Sequence, residues 1–198
     1  YNLASTLVKN YNAKYAPLYS QFVSANNEAG RLYLKGIREM SPNKVMYPDA
    51  TFTMRMSYGR VDDYSPRDAV EYDYVTTIDG VLEKYKPGDY EFDLPAKLID
   101  LAKKKDFGQY KDARTGSLVV NFITNNDITG GNSGSPVING SGELIGLAFD
   151  GNYEALSHKL TFDPKMNRTI CVDIRYVLWC IDKLGGAQNI IQELSIKK

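Results

Sequence analysis

The run Thr129-Gly130-Gly131-Asn132-Ser133-Gly134-Ser135-Pro136 constrains this chain more than any other stretch. Glycines stand on both sides of one serine, and proline closes the run. Such a segment can fold tightly around a single hydroxyl, because glycine adopts backbone angles that side chains forbid. In a loop of this kind the amides of Gly131 and Ser133 point together and form a cradle for an oxyanion. Gly-x-Ser-Gly alone is ordinary turn chemistry. The octapeptide is far more specific here, because strand-forming residues flank it on both sides.

A serine hydroxyl is a weak nucleophile and needs a base, usually histidine, oriented by a third group. The chain holds one histidine, His158, in a polar setting downstream of Ser133. The order serine then histidine suits an α/β-hydrolase, but that fold needs Gly-x-Ser-x-Gly on a strand-to-helix elbow. Ser135 occupies the second glycine position, and Pro136-Val137-Ile138-Asn139 reads as strand. The elbow fails twice, and His158 reads as a surface histidine. The octapeptide instead resembles the nucleophile loop of chymotrypsin-like serine peptidases, whose histidine and aspartate precede the serine. No histidine lies upstream here. Together with the start at Tyr1 and the leading helices, this reads as the C-terminal part of a longer chain.

Composition fits a globular protein: 198 residues, 43% apolar, with 24 basic and 24 acidic side chains. Neutrality gives no reason to expect nucleic acid or an anionic membrane as partner. The longest apolar runs are too short to span a bilayer, and no secretory signal opens the chain. Cys171 and Cys180 read as small buried thiols. The triplets at Asn139 and Asn167 match the glycosylation acceptor pattern, which is common by chance. No His/Cys cluster has metal-ligand spacing, so neither metal nor other cofactor is expected.

Residues 2–40 read as two helical pieces separated at Pro17. Thr51–Val61 reads as a strand with Phe52, Met54, Met56 and Tyr58 on one face, and Val75–Tyr85 as another with a turn at Asp79-Gly80. Leu94–Lys105 reads as a helix capped by Asp93, with Leu98 and Leu101 inward. Short strands follow at 117–124, 136–139, 143–149 and 168–173. The apolar run Leu144–Phe149 reads as covered on both faces. Asp173 caps a helix over 174–184, which Gly185-Gly186 ends, and residues 187–194 form the last helix.

The wider pattern resembles the bacterial dipeptidyl peptidase 7 and dipeptidyl peptidase 11 family of the chymotrypsin clan. The carrying segments are Asn121–Val137, Gly142–Gly146, Phe149–Asn152 and Arg168–Tyr176, with Tyr47–Ala50, Thr53–Arg55 and Tyr58-Gly59 upstream. The resemblance implies a mainly β fold with flanking helices. Residues 1–40 would end an inserted helical domain, and 41–198 would be the second, trypsin-like β-barrel, closed by C-terminal helices. It implies a periplasmic or cell-envelope serine peptidase that releases dipeptides from free N-termini. Ser133 would be the nucleophile, with Gly131 and Ser133 as oxyanion hole and the remaining triad members on an N-terminal barrel. The isolated chain would then be inactive, and its uncovered face could self-associate as a homodimer.

The resemblance also implies substrate contacts at Asp150, Gly151 and Asn152. Asp150 suits a peptide ammonium. Gly151 stands where acid-selective members carry a basic residue, so the pocket would be neutral and take apolar or mixed side chains. Asn132 replaces the aspartate of trypsin-type activation. Asp127, six residues before Ser133, reads as a turn residue, and Asp173 with Arg175 as a cap and a surface or interdomain pair. Two alternatives remain open: a glutamyl-endopeptidase-like protease, which shares Gly-Asn-Ser-Gly-Ser-Pro, and a pseudo-peptidase binding module.

Overall fold

The computed structural model describes residues 2–44, 46, 53–158 and 161–197, which fall into two compact units, 1–48 and 49–198. The segment Tyr47–Ala50 and Phe52 lie outside the described residues.

The first unit is a helical run: α1 (Asn2–Asn10), a π-helical turn (Tyr11–Tyr15) and α2 (Ala16–Met40). Two pieces were expected around Pro17. Pro17 sits in the first turn of α2, where its missing N–H costs nothing. The widened turn just before it absorbs the interruption without ending the helical path. No described residue of either helix is buried. Leu3, Leu7, Leu18 and Phe22 all stand exposed.

The second unit is built on antiparallel β-structure with flanking helices. A ribbon of β1 (Tyr64–Arg67) and β2 (Val70–Tyr72) precedes the main sheet. That sheet has the order β3-β4-β7-β6-β5, with β3 (Val75–Thr77), β4 (Val119–Thr124), β5 (Ser135–Ile138), β6 (Leu144–Gly151) and β7 (Thr169–Asp173). The ladder is open, with β3 and β5 at its edges. Against it lie α3 (Ile78–Lys84), α4 (Ala96–Lys103), α5 (Ile174–Trp179), a π-helical turn (Cys180–Leu184) and α6 (Gln188–Glu193).

Two sequence expectations fail for one reason. The strand expected over 75–85 stops at Thr77, and Asp79-Gly80 lies inside α3 rather than in a hairpin turn. Ile78, Val81 and Leu82 recur at helical spacing and face the core, which outweighs the local turn signal. The strand expected over 51–61 is reduced, within the described residues, to a single bridge between Val61 and Thr124. Met54, Met56 and Tyr58 are almost fully exposed, so their alternation buries nothing in this unit. Backbone and side chains together hold this segment: the Asn125 amide donates to the Arg60 carbonyl at 3.0 Å, the Arg60 amide to Asn125 Oδ1, and the Ser57 hydroxyl to the Asp127 carbonyl.

The main core gathers Ile78, Leu98, Phe107, Tyr110, Leu118 and Trp179 between helices and sheet. Trp179 is fully buried, and its indole N–H donates to the Asp106 carbonyl at 2.9 Å. Asp93 lies two residues too early to cap α4. Pro95 holds the N-cap position, and Asp93 instead accepts from the Leu94 amide. Asp173 does cap α5, accepting from the Arg175 amide at 2.8 Å. Arg175 forms the expected pair with Asp173. Its guanidinium bridges Asp173 and Asp112, both at 2.8 Å, within the same unit. Both cysteines are free; Cys171 is buried and Cys180 half-buried.

A smaller cluster of Phe122, Ala148 and Cys171 lies under the β5–β6 hairpin. Gly146 permits it: a Cβ there would meet the Val172 carbonyl at 2.5 Å and the Phe122 ring at 2.7 Å. β6 is covered in its middle and not at its ends, with Ile145 and Leu147 half-buried. Gly146 and Ala148 are buried, while Leu144 and Phe149 are exposed, contrary to the doubly covered strand its apolar run suggests.

Two outcomes follow. Gly146→Ala is expected to destabilise the unit by about 2–3 kcal/mol through overpacking against backbone and ring, read by urea unfolding. Burial pushes the Asp112 carboxyl up, but the Thr115 amide and Arg175 more than reverse this, holding it at about 2. A depressed folded-state value means stability that is present above pH 4 and lost as pH falls toward 2. Asp112→Asn is expected to flatten acid unfolding in that window by on the order of 1 kcal/mol, the pair being partly solvated.

Candidate functional site

The loop from Thr129 to Pro136 is held by its own backbone and the Asn132 side chain. Asn132 Oδ1 accepts from the Thr129 amide at 3.0 Å, and the Asn132 amide returns a bond to the Thr129 carbonyl at 3.1 Å. The Ser135 amide reaches the Asn132 carbonyl at 2.9 Å. Gly131 and Gly134 hold φ of +100° and +81°. At Gly134 a Cβ would meet open space, so glycine is required there for the backbone angle and not for room.

One bond fixes this loop to the sheet: the Gly134 amide donates to the Ala148 carbonyl at 2.7 Å. The β5–β6 ladder then continues with Ser135 opposite Ala148. Ser133 is left exposed, its hydroxyl 3.4 Å from the Phe149 carbonyl as donor. The amides of Gly131 and Ser133 make no hydrogen bond among the described residues, whereas those of Asn132, Gly134 and Ser135 are all taken. Two unengaged N–H groups therefore flank the exposed hydroxyl.

Ser133 borders a cavity of about 360 Å³, which Asp150, Gly151 and Asn152 also line. The loop is pinned to Ala148, and β6 ends at Gly151, so both stretches arrive at one place. Ile128, Phe149, Ala155, Leu156 and Phe162 supply apolar wall. The Asp150 carboxylate is exposed and accepts from the Gly151 amide at 2.8 Å. Gly151 has limited room: a Cβ would lie 3.1 Å from that of Ala155. Asn152 lines the cavity from a buried position. Its amide donates to Glu154 and the Met166 carbonyl, and its oxygen accepts from the Arg168 amide. Its polar atoms hold the loop together and leave only its surface to a ligand.

His158 differs from expectation. It is not a plain surface histidine: Nδ1 lies 2.8 Å from Asp127 Oδ1, with side-chain exposures of 19% and 13%. Asp127 is correspondingly more than a turn residue. The pair borders the same cavity as Ser133. A carboxylate on imidazole Nδ1 is the outer half of a catalytic triad. Yet no hydrogen bond joins the ring to the Ser133 hydroxyl, which is directed at Phe149.

The cavity's rear is polar. Arg168, whose side chain is 3% exposed, donates to the carbonyls of Asp62, Asp63, Pro164 and Asn167. The neighbouring Asn167 is buried, and its Nδ2 has no partner among the described residues. Burial of Asn167 also removes it as a glycan acceptor. Cys171 is no competing nucleophile. Burial pushes its thiol up to about 11, with the Thr124 hydrogen bond pulling back only part of the way. Among the described residues no group of three His, Cys, Asp or Glu is placed to hold a metal ion. No described helix is long and apolar enough to cross a membrane.

Asn132→Ala is expected to cost about 1 kcal/mol and to speed hydrogen exchange at the Thr129 amide, because the side-chain acceptor that closes the loop is gone. Native-state exchange reads this directly.

The peptidase S46 family model matches residues 1–196. The dipeptidyl-peptidase 7 of Capnocytophaga gingivalis is 56% identical over 85% of this chain and 24% of its own length. The Asp/Glu-specific dipeptidyl-peptidase of Flavobacterium psychrophilum is 45% identical over 99% of this chain and 27% of its own length. The crystal structure of Porphyromonas endodontalis dipeptidyl peptidase 11 with substrate superimposes with a TM-score of 0.83. It has 38% identity and covers 97% of this chain and 28% of that one. The chain thus spans about a quarter of the length of these relatives.

Proposed function

The chain belongs to the peptidase S46 family, and on that footing we propose that it carries the nucleophile of a serine dipeptidyl peptidase releasing dipeptides from free peptide N-termini. The observation that most supports this reading is the cavity shared by Ser133, Asp150 and Gly151. Ser133 attacks the scissile carbonyl. The amides of Gly131 and Ser133 receive the developing oxyanion, each donor being worth about 3 kcal/mol of barrier. Asp150 pairs with the substrate ammonium, which limits cleavage to dipeptides.

The base and its carboxylate come from an N-terminal barrel outside residues 1–198, and the isolated chain is inactive. The Ser133 hydroxyl, with no bond to His158, supports this. The whole protein acts in the periplasm or cell envelope, requires no metal or other cofactor, and its second unit self-associates when separated from that barrel. The pocket for the residue before the scissile bond takes apolar or mixed side chains. Gly151 contributes no charge, Ile128, Phe149, Leu156 and Phe162 supply part of the wall, and the Arg168 guanidinium is held within the protein.

A second reading has one observation in its favour: Asp127 and His158 already form a carboxylate–imidazole pair beside Ser133. It would make the triad self-contained.

In the full-length protein, Ser133→Ala is expected to lower kcat/KM on dipeptidyl reporters by at least about 10⁴-fold. His158→Ala is expected to cost far less; equal losses would favour the self-contained triad. Asp150→Asn is expected to lower kcat/KM by about 100-fold, and blocking the substrate N-terminus to abolish cleavage. Cleavage of blocked peptides would point to an endopeptidase instead. Absence of any Ser133-dependent turnover would point to a pseudo-peptidase. Gly151→Arg is expected to move preference toward acidic side chains by about tenfold or more.

A further inference from the structure

Gly151 ends β6 and lines the cavity that Ser133 borders. Glycine weakens a strand, and within one it often marks a close approach. Its backbone does not demand glycine, because its φ lies outside the left-handed region that Gly131 and Gly134 occupy. Room decides the position instead. A Cβ on Gly151 would lie 3.1 Å from the Cβ of Ala155, tighter than ordinary van der Waals contact. Ala155 also lines the cavity, half-buried, in the turn of residues 153–157. That turn has little freedom to retreat. The Ala155 amide donates to the Asn152 carbonyl and the His158 amide to the Ala155 carbonyl, both at 3.0 Å. Asn152 is held in turn by Glu154, the Met166 carbonyl and the Arg168 amide, and Glu154 accepts from the Tyr64 hydroxyl. Gly151 and Ala155 therefore meet on a wall that the rest of the unit keeps in place. Phe149 and Leu156 line the same cavity, but both are exposed and have rotamers through which to move aside. Ala155 has none.

We propose that Ala155 is a specificity residue: its single methyl group, fixed against Gly151, sets the depth of the pocket and leaves room for a bulky side chain before the scissile bond. A Cβ added at residue 151 presses on the Ala155 methyl, and atoms added to Ala155 take volume from the cavity. A filled pocket rejects a large side chain by overpacking and leaves a small one unaffected. The two positions share one space, so changes at them are not additive. Neither carries a charge, and the effect falls on size. The inference rests on the reading of the cavity as the pocket for the residue before the scissile bond.

The test uses the full-length protein carrying this chain and fluorogenic dipeptidyl reporters with Ala, Leu, Phe or Glu before the scissile bond. Ala155→Val is expected to lower the Phe-to-Ala ratio of kcat/KM by about tenfold or more, with the Leu-to-Ala ratio falling less. Ala155→Gly is expected to raise the Phe-to-Ala ratio by about twofold or more. Gly151→Ala is expected to lower that ratio in the parent protein and to lose about half or more of the effect, on a logarithmic scale, when Ala155→Gly removes the opposing methyl. Should Ala155→Val fail to fold, Ala155→Ser, which adds a single heavy atom, serves as the filling variant. Unchanged ratios in the filling variant, while Gly151→Arg still moves the Phe-to-Glu ratio, would overturn the inference and leave the pocket reading standing. If Gly151→Arg is silent both alone and together with Ala155→Gly, the pocket reading falls and takes the inference with it. Equal losses on the Ala, Leu and Phe reporters would assign the effect to the fold and overturn the size argument. Strict additivity of Gly151→Ala and Ala155→Gly would overturn the shared space.

Discussion

A buried guanidinium organises the functional end of this molecule. Taking a cation out of water is costly unless every donor finds an acceptor. Arg168 meets that condition with backbone carbonyls from three separate stretches, 62–63, 164 and 167, and with the Asp62 carboxylate, and its Cζ lies over the Tyr64 ring. Its own amide and carbonyl exchange hydrogen bonds with Asn152. The end of β6, the start of β7 and the incoming segment before β1 are thus tied through one residue. Everything that borders the cavity from Asp150 onward depends on that tie.

The sheet supplies the other half of the placement. Gly146 lets Phe122 pack against β6, and this fixes Ala148 over Cys171. The Ala148 carbonyl then receives Gly134, and the loop carrying Ser133 inherits the rigidity of the sheet. A loop of glycines would otherwise be the least ordered part of the chain. Here its freedom is removed by the Asn132 side chain on one side and the β6 backbone on the other. The result is an exposed hydroxyl beside two unengaged amides, an arrangement suited to acyl transfer.

The cavity combines apolar walls with polar groups whose charges are largely answered internally. Arg168 is answered by carbonyls, Glu154 by Tyr64 and Asn152, and Asp127 by His158. Asp150 is the exposed carboxylate near Ser133. That asymmetry separates one group able to meet a substrate charge from several whose charge shapes the protein itself. It also explains why a titratable residue at the site need not be a catalytic one.

By itself the sequence determined the β5–β6 and β7 strands, the glycine-rich loop before them, the α5 cap at Asp173 and the family. These are set by local rules: glycine backbone freedom, strand-forming runs, cap chemistry, and motifs read in order. It misread 51–61 and 75–85, because alternation and Asp-Gly are local signals, while Ile78, Val81 and Leu82 are decided by which core they reach. It also named His158 and Asp127 separately, and could not join them. Only tertiary structure decided that pairing, the commitment of Asn152 to Arg168, and the closure of Arg175 on Asp112. Each depends on side chains brought together across long stretches of chain, and no periodicity or spacing encodes which distant loop a side chain will meet.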